Sequence, residues 1–318
     1  MNVRSLAAAL ALALASPAAG AAPAAAQTLP VLRIAVLPTD SVSEAFDAVE
    51  LGIFKRDGLD VQLTMLSNGP AVAAAVAGGS ADIGATSLVN LAIAHEHGAP
   101  FGLIAPAGVY SSRAATIGLV VLKSSPIHSA KDLNGKIVGV DSLKSLATTT
   151  TSAWADRNGG DAKSLKFAEM GFGLMGPALE SGRVDAAYIA EPALDNVLAG
   201  SGRLLAKPLD AVANTFVLGA WFSTVDFAAQ HPDLIRRFAH AMVETADWAN
   251  KNPRPAGAIL AKYTQTPVND RIPRLPQAGT FDPAMVQPLL DACAKYGLLD
   301  RPIAASELYV PEIIPKSS

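Results

Sequence analysis

Short apolar runs alternate with segments of helical periodicity along the chain, and this alternation limits the possible folds more than any other feature. Strands are predicted at 32–37, 60–66, 82–85 and 101–107, and helices between them at 43–56, 70–77 and 88–95. Strand–helix–strand order is typical of parallel sheets that carry helices on both faces. The sequence therefore predicts an α/β fold.

A second unit of the same kind follows the first. Strands are predicted at 136–140, 165–169 and 186–189, and helices at 145–157, 177–180 and 192–198. The apolar runs at 116–122 and 216–222 stand between and after the two units, and we interpret them as hinge strands. Further helices are predicted at 232–249, 255–263 and 284–296, packed on the first lobe, whereas the proline-rich stretch 264–283 predicts no regular structure.

A short internal similarity supports two lobes. Residues 75–84 and 178–187 share alanine, glycine and aspartate in register, with Gly79 opposite Gly182 and Asp82 opposite Asp185. Each copy predicts a helix that ends at a glycine in the left-handed conformation, followed by a turn whose aspartate leads into a strand. One copy falls in each predicted lobe.

The amino terminus predicts export. Arg4, an apolar run of alanine and leucine, and small residues ahead of Gln27 match a Sec signal peptide over residues 1–26. The only cysteine, Cys293, lies far from this segment, so it predicts neither a lipid anchor nor an internal disulfide, and we expect a small buried side chain. We therefore expect a periplasmic protein that is not a lipoprotein.

The charge of the chain argues against one class of function, and its length indicates the number of domains. Without Arg4, 24 basic residues face 28 acidic ones, and no basic stripe is present, so nucleic-acid binding is not expected. About 290 residues remain after the signal peptide, which is enough for two domain-sized cores.

Several segments then resemble one family. They are 32–36, 50–61 (ELGIFKRDGLDV), 78–84 (GGSADIG), 131–136 (KDLNGK), 182–187 (GRVDAA) with Glu191-Pro192, and 248–253 (WANKNP). In this order they resemble the nitrate/sulfonate/taurine substrate-binding proteins of ABC importers, which are relatives of the thiamine-precursor binders.

The resemblance implies a type II periplasmic-binding-protein fold with two doubly wound α/β lobes joined by two hinge strands. Lobe 1 would comprise residues 27–118 and 220–318, and lobe 2 residues 119–219. It also implies a monomeric receptor that closes on a small anionic or aromatic solute (sulfonate-, carboxylate-, nitrate- or pyrimidine-like) and docks on an ABC permease.

Ligands of open α/β sheets bind at the carboxyl ends of the strands, where helix amino termini favour anions. In lobe 1 this rule selects the polar residues after the first three strands: Thr39, Asp40, Ser67, Asn68, Thr86 and Ser87. In lobe 2 it selects the residues around three strand ends: Asp141, Ser142, Lys144, Ser145, Phe172 and Glu191. Many of these residue types are also ordinary helix caps, so each keeps a structural alternative.

Four of the candidates have two roles open. Glu191 fits either a ligand contact or a hinge contact. Arg113 and Lys144 are the cations nearest the predicted cleft, and each could pair with an anionic ligand or remain a solvated surface charge. Trp221 fits stacking on a flat solute or packing at the hinge, and the neighbouring Phe222 would point to the opposite face.

Enzyme signals are weak. Gly171, Gly173 and Gly176 match the dinucleotide pattern G-x-G-x-x-G, but a crossover needs about a dozen residues and only 177–183 precede the next strand, so no cofactor is expected. His95 and His97 point to different sides of a helix, so no metal is expected. No GxSxG elbow is present, nor the clustered Cys and His of the related pyrimidine synthase. An enzyme on the same fold, or a receptor for a sensor or another transporter, remain the alternatives.

Overall fold

The computed structural model describes residues 31–114, 116–265, 267, 276–277 and 281–308. It contains two five-stranded sheets, each covered by helices, and a two-stranded ribbon between them. Among these residues no helix is both long and apolar enough to cross a membrane. The predicted signal peptide lies outside the described residues, as does most of the predicted irregular stretch 264–283.

The first sheet and its helices are built mainly from the first part of the chain. The strands are β1 (Val31–Val36), β2 (Asp60–Met65), β3 (Ile83–Ser87) and β4 (Phe101–Pro106), and the helices are α1 (Glu44–Glu50), α2 (Ile53–Arg56), α3 (Gly69–Ala77) and α4 (Leu88–Glu96). The predicted single helix 43–56 is wrong. It breaks at Gly52, whose φ of 70° is left-handed and separates α1 from α2.

The ribbon and the second sheet come next along the chain. Their strands are β5 (Val109–Ser111), β6 (Ile117–Leu122), β7 (Ile137–Val140), β8 (Lys166–Glu169), β9 (Ala186–Ala190), β10 (Gly202–Ala206) and β11 (Thr215–Val217). The helices are α5 (Leu146–Arg157), α6 (Phe172–Glu180) and α7 (Ala193–Ala199). α6 begins five residues before the predicted helix 177–180, so the glycine-rich pattern is largely helical rather than a phosphate-binding turn.

The remaining elements are β12 (Gly219–Thr224), α8 (Val225–Gln230), α9 (Pro232–Lys251), α10 (Pro253–Thr264) and α11 (Pro283–Lys295). α9 and α10 pack on α1 of the first lobe, as predicted. α11 differs from the prediction because it contacts α4 in the first lobe, the ribbon strand β11 and α5 in the second lobe. The carboxy-terminal third therefore bridges the two lobes as well as covering one of them.

Both sheets have the predicted parallel core, and each also contains one antiparallel strand. The first has the order β2-β1-β3-β12-β4, and β12 runs antiparallel to both its neighbours. The second has the order β10-β6-β9-β7-β8, in which β6 is the antiparallel strand. Each sheet thus contains one strand that enters from the hinge side, and such a strand runs against the parallel core.

The chain crosses between the lobes at the ribbon rather than at the predicted hinge strands. β6 pairs along its length with β9 and β10, so 116–122 is mainly a strand of the second sheet, and the predicted boundary between residues 118 and 119 cuts through it. The run 216–222 divides between β11 in the ribbon and β12 in the first sheet. The paired strands β5 and β11 therefore connect the lobes.

The two similar segments form the same pair of hydrogen bonds, one pair in each lobe. The Asp82 backbone N–H donates to the Arg33 carbonyl at 2.8 Å, and the Asp82 carboxylate accepts from the Arg33 backbone N–H at 2.8 Å. Asp185 and Ile137 form the same two hydrogen bonds, also at 2.8 Å. Gly79 and Gly182 adopt φ of 70° and 68°, which confirms the predicted left-handed helix ends. In each lobe an aspartate thus joins the start of one central strand to the start of the next.

We expect Asp82→Ala to lower the free energy of unfolding by about 2 kcal/mol, because it leaves the Arg33 backbone N–H without its acceptor. Asp82 also forms an ion pair with Arg33, whereas Asp185 is more exposed and its lysine partner, Lys136, lies 3.7 Å away. Asp185→Ala should therefore cost less, about 1 kcal/mol. Urea unfolding of both variants measures the two losses of stability. An equal loss, or a larger loss for Asp185→Ala, would contradict the prediction.

Candidate functional site

A cavity of about 60 Å³ lies between the two lobes at the carboxyl ends of their central strands. Its walls come from β1, β3 and the β12 region on one side and from β7, β9, α5 and α6 on the other. The lining residues are Leu37, Thr39, Ser41, Val42, Thr86, Ser87, Asn90, Ile117, Asp141, Leu146, Phe172, Tyr188, Ala190, Leu218 and Gly219. A cavity of this kind suits a small solute.

Thr86 and Asn90 form the buried polar centre of the first-lobe wall. The Asn90 side-chain amide donates to the Thr86 hydroxyl at 2.9 Å, so that the hydroxyl proton can still be donated into the cavity. Ser87 caps α4 by accepting from the Asn90 backbone N–H at 3.3 Å. Gly69 makes this pair possible, because a Cβ at that position would collide with both the Thr86 hydroxyl and the Asn90 amide.

A second polar pair lies at the end of β1. The Thr39 and Ser41 hydroxyls are 3.0 Å apart and share a hydrogen bond. Gly219 lies beside this wall, and a Cβ there would be 2.5 Å from the Thr86 carbonyl oxygen. The first lobe therefore presents hydroxyl and amide groups, all of them neutral, on a tightly packed backbone.

The second-lobe wall carries Asp141 at the end of β7. Its side chain is half-buried, and its carboxylate accepts from the Ser145 hydroxyl at 3.0 Å. Burial raises the pKa of Asp141 to about 6, and the nearby charge of Glu169 acts in the same direction. The hydrogen bonds from Ser145 and from the backbone of Asp141 and Ser142 oppose that rise. Asp141 is thus an acid that remains mostly ionised at neutral pH.

Tyr188 and Phe172 complete the second-lobe wall. The Tyr188 hydroxyl is buried and satisfies hydrogen-bond geometry with none of the described residues. Burial raises the pKa of Tyr188 well above its ordinary value, the charge of Asp141 adds to the rise, and the Thr150 hydroxyl opposes it. A buried hydroxyl of this kind costs free energy unless a ligand or water bonds to it.

Of the fourteen residues predicted from sequence, the structure brings five to the cavity, namely Thr39, Thr86, Ser87, Asp141 and Phe172. Asn68 and Ser145 instead cap α3 and α5 by accepting from the Ala71 and Ala147 backbone N–H groups. Ser142 is buried behind the wall, where its carbonyl accepts from Ser145, and Ser67 is exposed away from the cavity. For Asn68 and Ser145, the helix-cap alternative describes the observed positions.

The remaining predicted residues also lie outside the cavity lining. Arg113 and Lys144 are exposed, so in the described part of the chain no cation lines the cavity. Asp40 is buried in a short 3₁₀ turn. Glu191 accepts from the Asp195 backbone N–H at 3.1 Å and precedes a cis peptide bond to Pro192. Trp221 is fully buried and packs edge-on against Phe238, 5.3 Å between ring centroids, in the core of the first lobe.

Sequence reasoning missed Ser41, Asn90 and Tyr188. Asn90 lies in the first turn of α4, and its side chain reaches back to Thr86 at the end of β3. Tyr188 is the third residue of a strand whose other members are apolar, so its hydroxyl has no local partner. The Tyr188 hydroxyl in an apolar strand was therefore the signal that the sequence offered. The direction in which that hydroxyl points depends on the arrangement of the whole sheet.

One other cluster has the composition of a metal site. Within the described ranges Asp57, His240 and Glu244 bring potential ligand atoms within 4.8 Å of one another. Arg56 ion-pairs with Asp57 at 2.9 Å and with Glu244 at 2.5 Å. The Arg56 guanidinium therefore supplies the positive charge between the two carboxylates. The cluster is accounted for as a surface ion-pair network.

Comparison with known proteins assigns the chain to a family. The family model described as NMT1/THI5 like matches residues 41–256. The chain belongs to the NMT1/THI5-like family. Among curated proteins, the taurine-binding periplasmic protein of Escherichia coli (strain K12) is 24% identical over 237 residues, which are 71% of this chain and 71% of that protein.

Solved structures show the same fold. The alkanesulfonate-binding protein SsuA of Xanthomonas axonopodis pv. citri, bound to MOPS, superposes with a TM-score of 0.74 at 18% identity and covers 90% of this chain and 99% of its own. The desulfurization enzyme DSZB superposes with a TM-score of 0.63 at 17% identity, with 89% and 97% covered. The predicted type II periplasmic-binding fold is confirmed, and the fold is shared by binding proteins and by an enzyme.

Replacing Asp141 with asparagine should stabilise the ligand-free protein at pH 7.5 by an amount on the order of 1–3 kcal/mol. Because the folded pKa of about 6 lies above the ordinary carboxyl value, the folded state holds this proton more tightly. Its contribution to stability is therefore present below pH 4 and is lost as pH rises through 6. Thermal unfolding of both proteins from pH 4 to 8 tests this, and a gain that is constant across the range would contradict it.

Trp221→Ala should lower the free energy of unfolding by about 3–5 kcal/mol, because it empties a core position beside Phe238. Trp221→Phe should cost less and leave the affinity for any cavity ligand unchanged within about twofold. Urea unfolding and calorimetric titration measure the two effects. A large loss of affinity in a folded Trp221→Phe protein would restore the ligand-stacking interpretation.

Proposed function

We propose that this protein is a periplasmic receptor that captures a small solute between its lobes and delivers it to an ABC importer. One observation carries the proposal: a small cavity is walled by both lobes and by polar groups at the ends of their central strands. A solute that contacts Thr86 from one lobe and Asp141 or Tyr188 from the other favours the closed arrangement, because it binds that arrangement more tightly than a separated one.

The comparisons support the transport part of the proposal. The relatives and neighbours include proteins named for binding taurine, alkanesulfonate and nitrate, and the taurine- and nitrate-binding proteins are named as periplasmic. Another neighbour is described as the ligand-binding component of an ABC-type import system. Solute binding by this chain, its periplasmic location and an ABC permease as its partner follow by similarity. A monomer is the expected state, since each lobe supplies half of the cavity from one chain.

An enzyme on the same fold is the second candidate, favoured by the similarity to DSZB, one structure of which is a cysteine-to-serine mutant in complex with biphenyl-2-sulfinic acid. The one cysteine of this chain, Cys293, is buried on α11 and does not line the cavity. Burial raises its pKa to about 12, so the thiol stays protonated and is a poor nucleophile. The cavity hydroxyls lack a histidine base among the described residues. These observations favour a binding protein.

A thermal-shift screen over sulfonates, carboxylates, nitrate, pyrimidines and small amines tests the receptor function. A ligand at about 100 times its Kd should add about 2.7 kcal/mol to the stability. Small-angle scattering should then show a smaller radius of gyration with that ligand. Thr86→Val should weaken binding at least about tenfold, because it removes the hydroxyl and leaves Asn90 without its acceptor.

Lys144→Ala and Arg113→Ala are matched controls, since both side chains lie outside the cavity lining. Each should bind the same ligand within about twofold of the unchanged protein. Catalytic turnover of a bound solute in the absence of any transporter would contradict the receptor proposal. So would the absence of any stabilising solute in protein freed of co-purified ligand.

A further inference from the structure

The charge of the cavity is unlike that expected for a receptor of simple anions. Asp141 is the one charged side chain among its lining residues in the described part of the chain. The two cations predicted to lie nearest the cleft, Arg113 and Lys144, are not among those residues. A fully anionic solute would therefore be held beside a carboxylate without a compensating side-chain cation, and like charges at short distance are costly in a partly buried site.

The surroundings of Asp141 strengthen this negative end. At the amino-terminal cap of α5, Ser145 donates a hydrogen bond from its hydroxyl to the carboxylate. At the end of β8, the charge of Glu169 is close enough to raise the pKa of Asp141. On β9, the Tyr188 hydroxyl is neutral at pH 7, and burial raises its pKa further above its ordinary value. The residues of α6 and the first lobe that line the cavity carry no titratable group, so no cation among the lining residues offsets the two carboxylates.

The opposite wall has different chemistry. Thr86, Ser87 and Thr39 supply hydroxyl groups, and Asn90 supplies an amide, all at the first-lobe side. Hydroxyl and amide groups can donate to oxygen atoms of a solute without carrying charge. The cavity is therefore two-ended, with an acidic end in the second lobe and a neutral, donor-rich end in the first.

We propose, on the basis of the receptor function above, that the solute is a small amine whose protonated nitrogen faces Asp141 and whose oxygen-bearing end faces Thr86 and Asn90. Amino sulfonates and amino carboxylates have this two-ended chemistry. The buried Tyr188 hydroxyl, whose own proton is donated to none of the described residues, supplies a donor for the same solute. Closure then brings the two ends of one molecule to the two lobes.

Two pairs of probes that differ only in the amine test the inference. Taurine is compared with ethanesulfonate, and β-alanine with propionate, by isothermal titration calorimetry at pH 7. In each pair the amine should bind at least about tenfold more tightly, because it replaces repulsion at Asp141 with a charge-assisted hydrogen bond. At least one of the two amines should bind measurably.

Asp141→Asn should remove the difference within each pair while the protein stays folded. The ionised carboxylate is the form that attracts the amine, and the pKa of Asp141 is about 6. The affinity of the unchanged protein for the amine should therefore fall about tenfold from pH 7 to pH 5. Glu169→Gln is the matched control: it removes a neighbouring charge outside the cavity lining, so the amine should still bind at pH 7 and the pH midpoint should move lower.

Several results would overturn the inference. Tighter binding of ethanesulfonate or propionate than of the matching amine, or binding that strengthens from pH 7 to pH 5, would show that Asp141 accommodates an anion. The receptor proposal would survive those results, because a solute still binds. Failure of all four probes would reject small amino acids of this type, and the wider solute screen would then decide the receptor proposal separately.

Discussion

Two sheets direct the carboxyl ends of their central strands at one small cavity, and this constraint determines where every functional group of the protein can lie. A parallel strand ends where the following helix begins, so polar residues at that junction face the gap while the apolar remainder of the strand stays buried. Thr39, Thr86 and Asp141 all occupy such ends. The position of the site therefore follows from the direction of the strands.

The same constraint explains the aspartate that joins two neighbouring strands in each lobe. Asp82 and Asp185 lie at the opposite ends of the strands, away from the cavity, where each joins two neighbouring strands by reciprocal hydrogen bonds. Holding the strands in register at that edge keeps their other ends aligned at the cavity. Stability and binding are thus separated along the strand, with structural carboxylates at one end and site residues at the other.

Asp141 is the exception to that separation. It is a carboxylate at the binding end, and its burial near Glu169 makes the ligand-free site less stable at neutral pH than a neutral side chain would. Functional groups commonly carry such a cost because the partner that relieves it is a ligand. A cationic nitrogen at this position would relieve it, and this connects the stability of the empty site to the choice of solute.

The chain itself determined the α/β class, the two-lobe organisation, the paired glycine–aspartate turns and five of the cavity residues. Strand and helix periods, glycine-ended helices and polar residues at strand ends are local signals, and local geometry does not require knowledge of distant partners. These signals also select Thr86 and Ser87, which lie at the carboxyl end of β3 and line the cavity. Only the tertiary structure decided which polar residues reach the cavity and which cap a helix.

Ser145 and Asn68 lie near the carboxyl ends of strands, as Thr86 does, yet their side chains bond to backbone N–H groups of the next helix. The insertion of β12 into the first sheet turned Trp221 to the core, and pairing of β5 with β11 moved the lobe crossing to the ribbon. These outcomes depend on contacts between residues far apart in the chain, and no local pattern contains that information.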